Sequence, residues 1–299
     1  MPGSRLLPRA LKALAHPHYA CRPWHVATRL LRGAPPPEDA VAVALPWGHI
    51  LTVDPHTHIG GILSRHGVYD HTVSEALWRL TAPGACCVDV GAHVGYTASL
   101  LAHRSGGQGR VHAVEPHPHL HAALRANASR IRQVDAAPVT VHPVALSSRT
   151  GTAPLKWNSD FAENRGTASL EDAAASHQTA VPCQRLDELF PEASIDVLKI
   201  DVEGHEDAVL AGAARALADR RIQHVVYENH AGASASCHMT LQEAGHTVFQ
   251  LGWRPFRPVL WPLGASAPGY LPPSPVFVAT LRPATVRAQY RAWGWQCFA

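Results

Sequence analysis

From Cys86 onward, short apolar runs alternate with stretches of helical periodicity. "CCVDVG" leads into a helix over 95–103 and "RVHAVEP" into one over 118–132, and "PVTVHPVAL" follows. After an irregular stretch come "IDVLKIDVEG", a helix over 206–218, "IQHVVYENH", a helix near 236–244, "TVFQLG" and "SPVFVATL". This alternation predicts an α/β fold: a mostly parallel, doubly wound, Rossmann-like sheet with helices on both faces. The last two strands, joined by a connection rich in Pro and Gly, are expected to form an antiparallel edge. Upstream, "AVAVALPWGHILTVDP" reads as a hairpin turning near Pro46-Trp47-Gly48, and "YDHTVSEALWRLTAPG" as a helix stopped by Pro83-Gly84.

These patterns divide the chain. Residues 1–39 form a helical extension ending in the linker "GAPPPED", 40–282 the main domain, and 283–299 a C-terminal tail. Within the domain, 147–183 interrupts the alternation. "TGTAPL" and "TAVPC" are short strands flanking "NSDFAENRGTASLEDAAASHQ", a polar loop of the length expected for a lid or binding loop.

Charge narrows the partners. Residues 1–33 carry six basic groups and no acid, 244–299 five basic and no acid, and the middle 15 basic against 23 acidic. An acidic centre does not suit a nucleic-acid face, and the basic ends fit intramolecular docking or an acidic partner. Leu6, Leu7, Leu11 and Leu14 make the first helix amphipathic, so it either packs on its own domain or touches a membrane surface. Apolar runs end well before about 18 residues, so stable membrane insertion is not expected. With no secretory core, the default is a cytoplasmic protein, with homo-oligomerisation left open. The six cysteines form no C-x-x-C pair and read as free thiols.

The candidate chemistry begins at "DVGAHVG" (89–95), between the first core strand and its helix. Glycines here let the backbone approach a ligand, and a helix N-terminus offers free N–H groups. The spacing is G-x-x-x-G with an acid two residues earlier, which is not the dinucleotide fingerprint. Glu115 ends the next strand, where a carboxylate accepts bonds from both ribose hydroxyls. A ligand with an ammonium, a carboxylate and a ribose fits this pattern, and S-adenosyl-L-methionine (SAM) has all three.

"DVLKIDVEGHEDAVLAGA" (196–213), preceded by "RLDELF" (185–190), resembles the FkbM-type SAM-dependent methyltransferases, which pair such a segment with a "DVGANxGxxT"-like loop. "GVYDHTVSEAL" (67–77) and "ENRGTASL" (163–170) are similar to its flanking motifs, and the resemblance covers about residues 40–282. It implies a class I methyltransferase fold acting on a small-molecule acceptor, with O-methylation of a natural product or sugar-bearing metabolite as the expected reaction. N-methylation of an amine or peptide side chain, and SAM binding without catalysis, stay open. The implied cofactor set is Asp89, Gly91 and Gly95 at the methionine end, with Tyr96 and Thr97 opening the helix. Glu115 and Pro116 belong to the ribose side, and Ala145 and Leu146 to the adenine. His93 stands where the family usually has Asn, and Asp70 where a longer acid is common.

Ligands of open α/β sheets bind beyond the carboxyl ends of the strands. The expected catalytic residues are therefore Asp201, His205 and Glu228, with His230 a weaker base. Lys199 shares a face with Asp201 and is read as an ion-pair partner or a catalytic group. His205 is either a general base or a solvent-exposed helix start. Glu203 and Glu206 have a structural explanation in the helix dipole. Asp201, Glu228 and Asn229 are oxygen donors suited to Mg²⁺, but no metal is expected. "HPHLH" (117–121) is read as surface.

Overall fold

The protein is described from a computed structural model covering residues 39–131, 135–158, 168–170, 176–254, 257–265 and 274–298. The N-terminal extension, its linker and much of the 147–183 loop lie outside the described residues.

The expected hairpin pairs β1 (Val41–Ala44) with β2 (Ile50–Val53) in antiparallel register. Two helices precede the core: α1 (His58–His66), which the sequence pattern did not announce, and α2 (His71–Leu80). Then follow β3 (Cys86–Val90), α3 (Tyr96–Ser105), β4 (Arg110–Val114), α4 (Pro118–Ile131) and β5 (Val139–His142). A separate three-stranded sheet holds β6 (Ala145–Leu146), β7 (Gly151–Trp157) and β8 (His177–Gln184). The chain returns to the main sheet through α5 (Leu186–Leu189), β9 (Ile195–Ile200), α6 (Glu206–Gly212), α7 (Ala214–Ala218) and β10 (Ile222–Glu228). It ends with α8 (Ser236–Glu243), β11 (Thr247–Arg254), β12 (Arg257–Pro262), β13 (Val276–Thr280) and α9 (Pro283–Gln289).

The main sheet runs β12-β11-β13-β10-β9-β3-β4-β5. Its right half is parallel, while β13 pairs antiparallel with both β10 and β11. The antiparallel edge is present, but β13 lies inside the sheet and β12 takes the rim. The reason is compositional. "VFVAT" is buried at every position, as a strand covered on both faces must be, whereas β12 carries Pro258 and Pro262, which suit an edge.

Two apolar layers cover the sheet. One joins Leu77 of α2, Leu100 and Leu101 of α3 and Leu124 of α4; the other joins Leu186, Val209, Leu217 and Leu241 on the opposite side. The expected helix 206–218 breaks at Ala213, and Gly212 lets its end meet the preceding loop. A Cβ there would lie 2.1 Å from the Ser147 carbonyl oxygen. In the segment expected as a C-terminal tail, α9 and the 3₁₀ turn Gln296–Phe298 pack on α2. Cys87, Cys183 and Cys237 are buried free thiols, Cys86 is a half-buried one, and Cys297 is buried. Among the described residues no helix is long and apolar enough to cross a membrane.

Candidate active site

A cavity of about 700 Å³ opens where the carboxyl ends of β3, β4, β9 and β10 meet, within the ~300–1,000 Å³ range of ligand pockets. Its wall includes Gly91, His93, Tyr96, Thr97, Glu115 and Pro116. The small sheet contributes Ala145, Leu146 and Leu155, and the strand ends Asp201, Glu203, His205 and Glu228. Asp70 and the first turn of α2 close another side. Asp89 and Gly95, expected with these, do not line it.

Asp89 sits behind the wall. It is fully buried; its Oδ2 accepts from Thr97 Oγ1 at 2.6 Å, and its Oδ1 lies 3.2 Å from Lys199 Nζ. Lys199 also reaches Asp201 Oδ2 at 3.4 Å and donates to the Gly91 carbonyl at 2.8 Å. Burial disfavours its charge, but Asp89 and then Asp201 outweigh that and hold its pKa above the ordinary lysine value. The ion-pair reading of Lys199 is thus what the geometry presents. The glycine loop works by backbone shape. Gly91 has φ +74°, and a Cβ there would come 1.9 Å from the Asp201 carbonyl oxygen. Gly95 caps α3 with φ +94°, with Leu124 against it. His93 has φ +50°, a left-handed conformation in which Asn and His are both enriched, so His fits where Asn is usual.

Glu115 faces the cavity with 5 % of its surface exposed. Its Oε1 accepts from the His117 N–H at 2.9 Å and its Oε2 from the His93 N–H at 3.0 Å. Burial pushes its carboxyl up to about 7, although those N–H groups pull the other way. Each oxygen keeps acceptor capacity for one hydroxyl, which is what a ribose diol requires. On this donor set the residues present fit SAM.

The opposite rim gathers carboxylates from three elements. Asp70 caps α2, accepting from the N–H groups of Thr72 (3.1 Å) and Val73 (3.0 Å), and burial raises it to about 6. Glu203, with φ +50°, and Glu228 are each pushed up to about 7, first by burial and then by Asp201. His230 Nε2 lies 3.6 Å from Glu228 and 3.9 Å from Glu203. Ser169 Oγ donates to the Glu203 carbonyl at 2.8 Å, tying the insertion to this rim.

Several placements differ from expectation. His205 is buried rather than exposed, with Nε2 3.0 Å from Ser147 Oγ, beside the stretch expected to flank adenine. Glu203 is on the cavity wall; Glu206 opens its helix and accepts from the N–H of Gly204 just before it. His117 is buried, its ring edge-on to Trp157 at 5.1 Å, so "HPHLH" is only partly surface. Asn229 is not on the cavity wall. Its amide donates to Glu206 and Cys237 and its oxygen accepts from the Ala231 N–H. Asp201 and Glu228, the other two oxygen donors considered for Mg²⁺, line the cavity; among the described residues no group of three His, Cys, Asp or Glu could hold a metal. Sequence reasoning did not single out Tyr69, His58 or Leu155, all on the wall. Only Tyr69 had a local signal, as the neighbour of Asp70.

Sheet order, glycine loop and cavity together define a class I methyltransferase fold with a site for a nucleoside ligand. The methyltransferase FkbM domain matches residues 89–248, more than half of the chain, which therefore belongs to the FkbM family of SAM-dependent methyltransferases. The 31-O-demethyl-FK506 methyltransferase FkbM of Streptomyces tacrolimicus is 34% identical over 196 residues, covering 56% of this chain and 74% of that protein. The hexuronic acid methyltransferase AglP of Haloferax volcanii is 28% identical over 144 residues, 48% of this chain and 55% of that one. Among solved structures, a SAM-dependent O-methyltransferase from Thermotoga maritima aligns with a TM-score of 0.43 at 16% identity, covering 84% of this chain and 95% of that one.

Proposed function

We propose that this enzyme transfers the methyl group of SAM to a hydroxyl of a small natural product or sugar-bearing metabolite. One observation carries the reading: a single cavity joins a diol-accepting carboxylate, Glu115, to a rim of carboxylates held near neutrality. When bound, SAM supplies an electrophilic methyl on a positively charged sulfur. Glu115 would hold the ribose, Ala145 and Leu146 the adenine, and Gly91, His93, Tyr96, Thr97 and Asp70 the methionine end. Asp89 and Gly95 would act from behind, through Lys199 and Thr97 and through the turn into α3. The apolar wall from Leu155, Ala168 and Leu170 supports the insertion 147–183 as a cover that excludes water.

Glu228 is the general base in this reading. A carboxyl near pH 7 both exists as carboxylate and accepts an alcohol proton with useful driving force. Asp201, paired with Lys199, would orient the acceptor, and His205, bonded to Ser147, would line the adenine side. The excess of carboxylates at the rim favours, as a second reading, an amine acceptor, since an ammonium would be drawn there. No metal is invoked, so EDTA should leave turnover unchanged. The reading also keeps a cytoplasmic location and no nucleic-acid partner; self-association stays open.

The test uses methyl-labelled SAM with extracts of the host and identifies the labelled product by mass spectrometry. Label on oxygen supports the first reading, label on nitrogen the second, and no labelled product from any acceptor sinks both. With the acceptor in hand, Glu228→Gln should lower kcat roughly 10²-fold or more, leave SAM affinity within about two-fold, and abolish the rise in rate through about pH 7.

A further inference from the structure

Helix α2 carries different loads at its two ends. Its first turn faces the cavity through His71, Thr72 and Val73, with the capping Asp70 beside them. Its later turns are gripped by the C-terminal segment. Arg79 and Glu75 form a fully buried pair at 2.6 Å. Arg79 donates to the carbonyls of Gln289, Ala292 and Gly294. Glu75 accepts from the N–H groups of Gln296 at 3.0 Å and Cys297 at 2.9 Å. The His71 ring is held edge-on between Trp253, 4.9 Å away, and Trp295, 5.0 Å away. Neither indole is on the cavity wall, and Trp295 lies well beyond the residues that match the family.

We infer that the segment 290–298, through Trp295 against His71, positions the first turn of α2 to receive the methionine end of SAM. This rests on the proposed cofactor arrangement, in which Asp70 serves that end. A ring clamped on two sides by indoles keeps one orientation, and its helix turn is ordered before the ligand arrives. Without Trp295 the space of an indole opens beside His71, and binding must then order the turn itself. The ribose end is carried by Glu115, at the end of β4, and does not depend on that clamp. Trp295 is thus a positioning residue that acts at one end of one ligand.

The test is calorimetry on the full chain with two ligands. S-adenosylhomocysteine keeps the amino-acid end, and 5′-methylthioadenosine lacks it. Trp295→Ala should weaken S-adenosylhomocysteine roughly five- to ten-fold and change methylthioadenosine less than about two-fold, with Trp295→Phe recovering most of the loss. Equal weakening of both ligands would mean general loosening and would overturn the inference, as would unchanged affinity for both. Wild-type protein that binds neither ligand would instead refute the cofactor arrangement beneath it. If Trp295→Ala does not fold, Trp295→Leu takes its place under the same criteria.

Discussion

At the scale of single residues, Glu115 carries the proposed cofactor reading. Its two oxygens are already anchored by the N–H groups of His117 and His93, so its carboxylate is oriented before any ligand binds. Hydrogen bonds to a charged group are worth about 1.5–3 kcal/mol. Glu115→Ala should therefore weaken S-adenosylhomocysteine roughly 10- to 100-fold by calorimetry, and an unchanged Kd would remove Glu115 from the ribose site. Much at this scale was legible in the chain. The glycines at 91 and 95 were recognisable from spacing, and Glu115 from its place twenty residues later. What spacing does not contain is direction. Asp89 was expected on the ligand side, but the lysine two-thirds of the way along the chain, brought in on the neighbouring strand β9, turns it into a buried counter-ion. His117 reads as surface in "HPHLH" until Trp157, from a different sheet, covers it.

Individual elements show the same division. Strand and helix identities followed from periodicity, because a strand covered on both faces must be apolar throughout and a surface helix must carry an apolar stripe. Their neighbours did not. "VFVAT" reads equally well as an edge or an interior strand, and only its pairing with both β10 and β11 decides the matter. Helix α1 escaped notice because it is short and contains Gly60 and Gly61, poor helix formers. Helix α2 was legible, but its purpose was not: Glu75 and Arg79 look like an ordinary surface i, i+4 pair until the C-terminal segment buries both. Removing one member of such a pair leaves an uncompensated buried charge. Arg79→Met should thus cost about 3–5 kcal/mol in urea unfolding. A loss below about 1 kcal/mol would show that water reaches the pair in solution.

At the scale of the whole molecule, the site and the fold oppose each other in their response to pH. Asp70, raised to about 6, and Glu115, Glu203 and Glu228, raised to about 7, bind protons more tightly folded than unfolded. Their contribution to stability is complete below about pH 4, the unfolded carboxyl value, and is lost as pH rises through 6 to 7. His49, His112 and His224, lowered to about 4 mainly by burial, act with the opposite sign. Their contribution is present above about 6.5 and is lost as pH falls through 4. Above about pH 6.5 only the carboxylate effect remains, so the Tm of the ligand-free protein should fall between about pH 6.5 and 8. The double variant Glu203→Gln, Glu228→Gln should flatten that fall in a thermal-shift titration. A Tm that rises over the same range would contradict the burial of these carboxylates.

The sequence by itself determined the class of fold and the family and marked the glycine loop and Glu115, because each is encoded by residues close together in the chain. Local backbone requirements and short periodicities need no knowledge of what packs where. The tertiary structure alone decided which carboxylates face the cavity and that Lys199 is committed to Asp201 on the wall and Asp89 behind it. It also decided that β13 lies inside the sheet and that the last residues brace the first turn of α2. Each of these depends on residues far apart in the chain, more than two hundred positions for Glu75 with Cys297 and for His71 with Trp295. No local pattern records such a meeting; it exists only once the sheet order has brought the partners together.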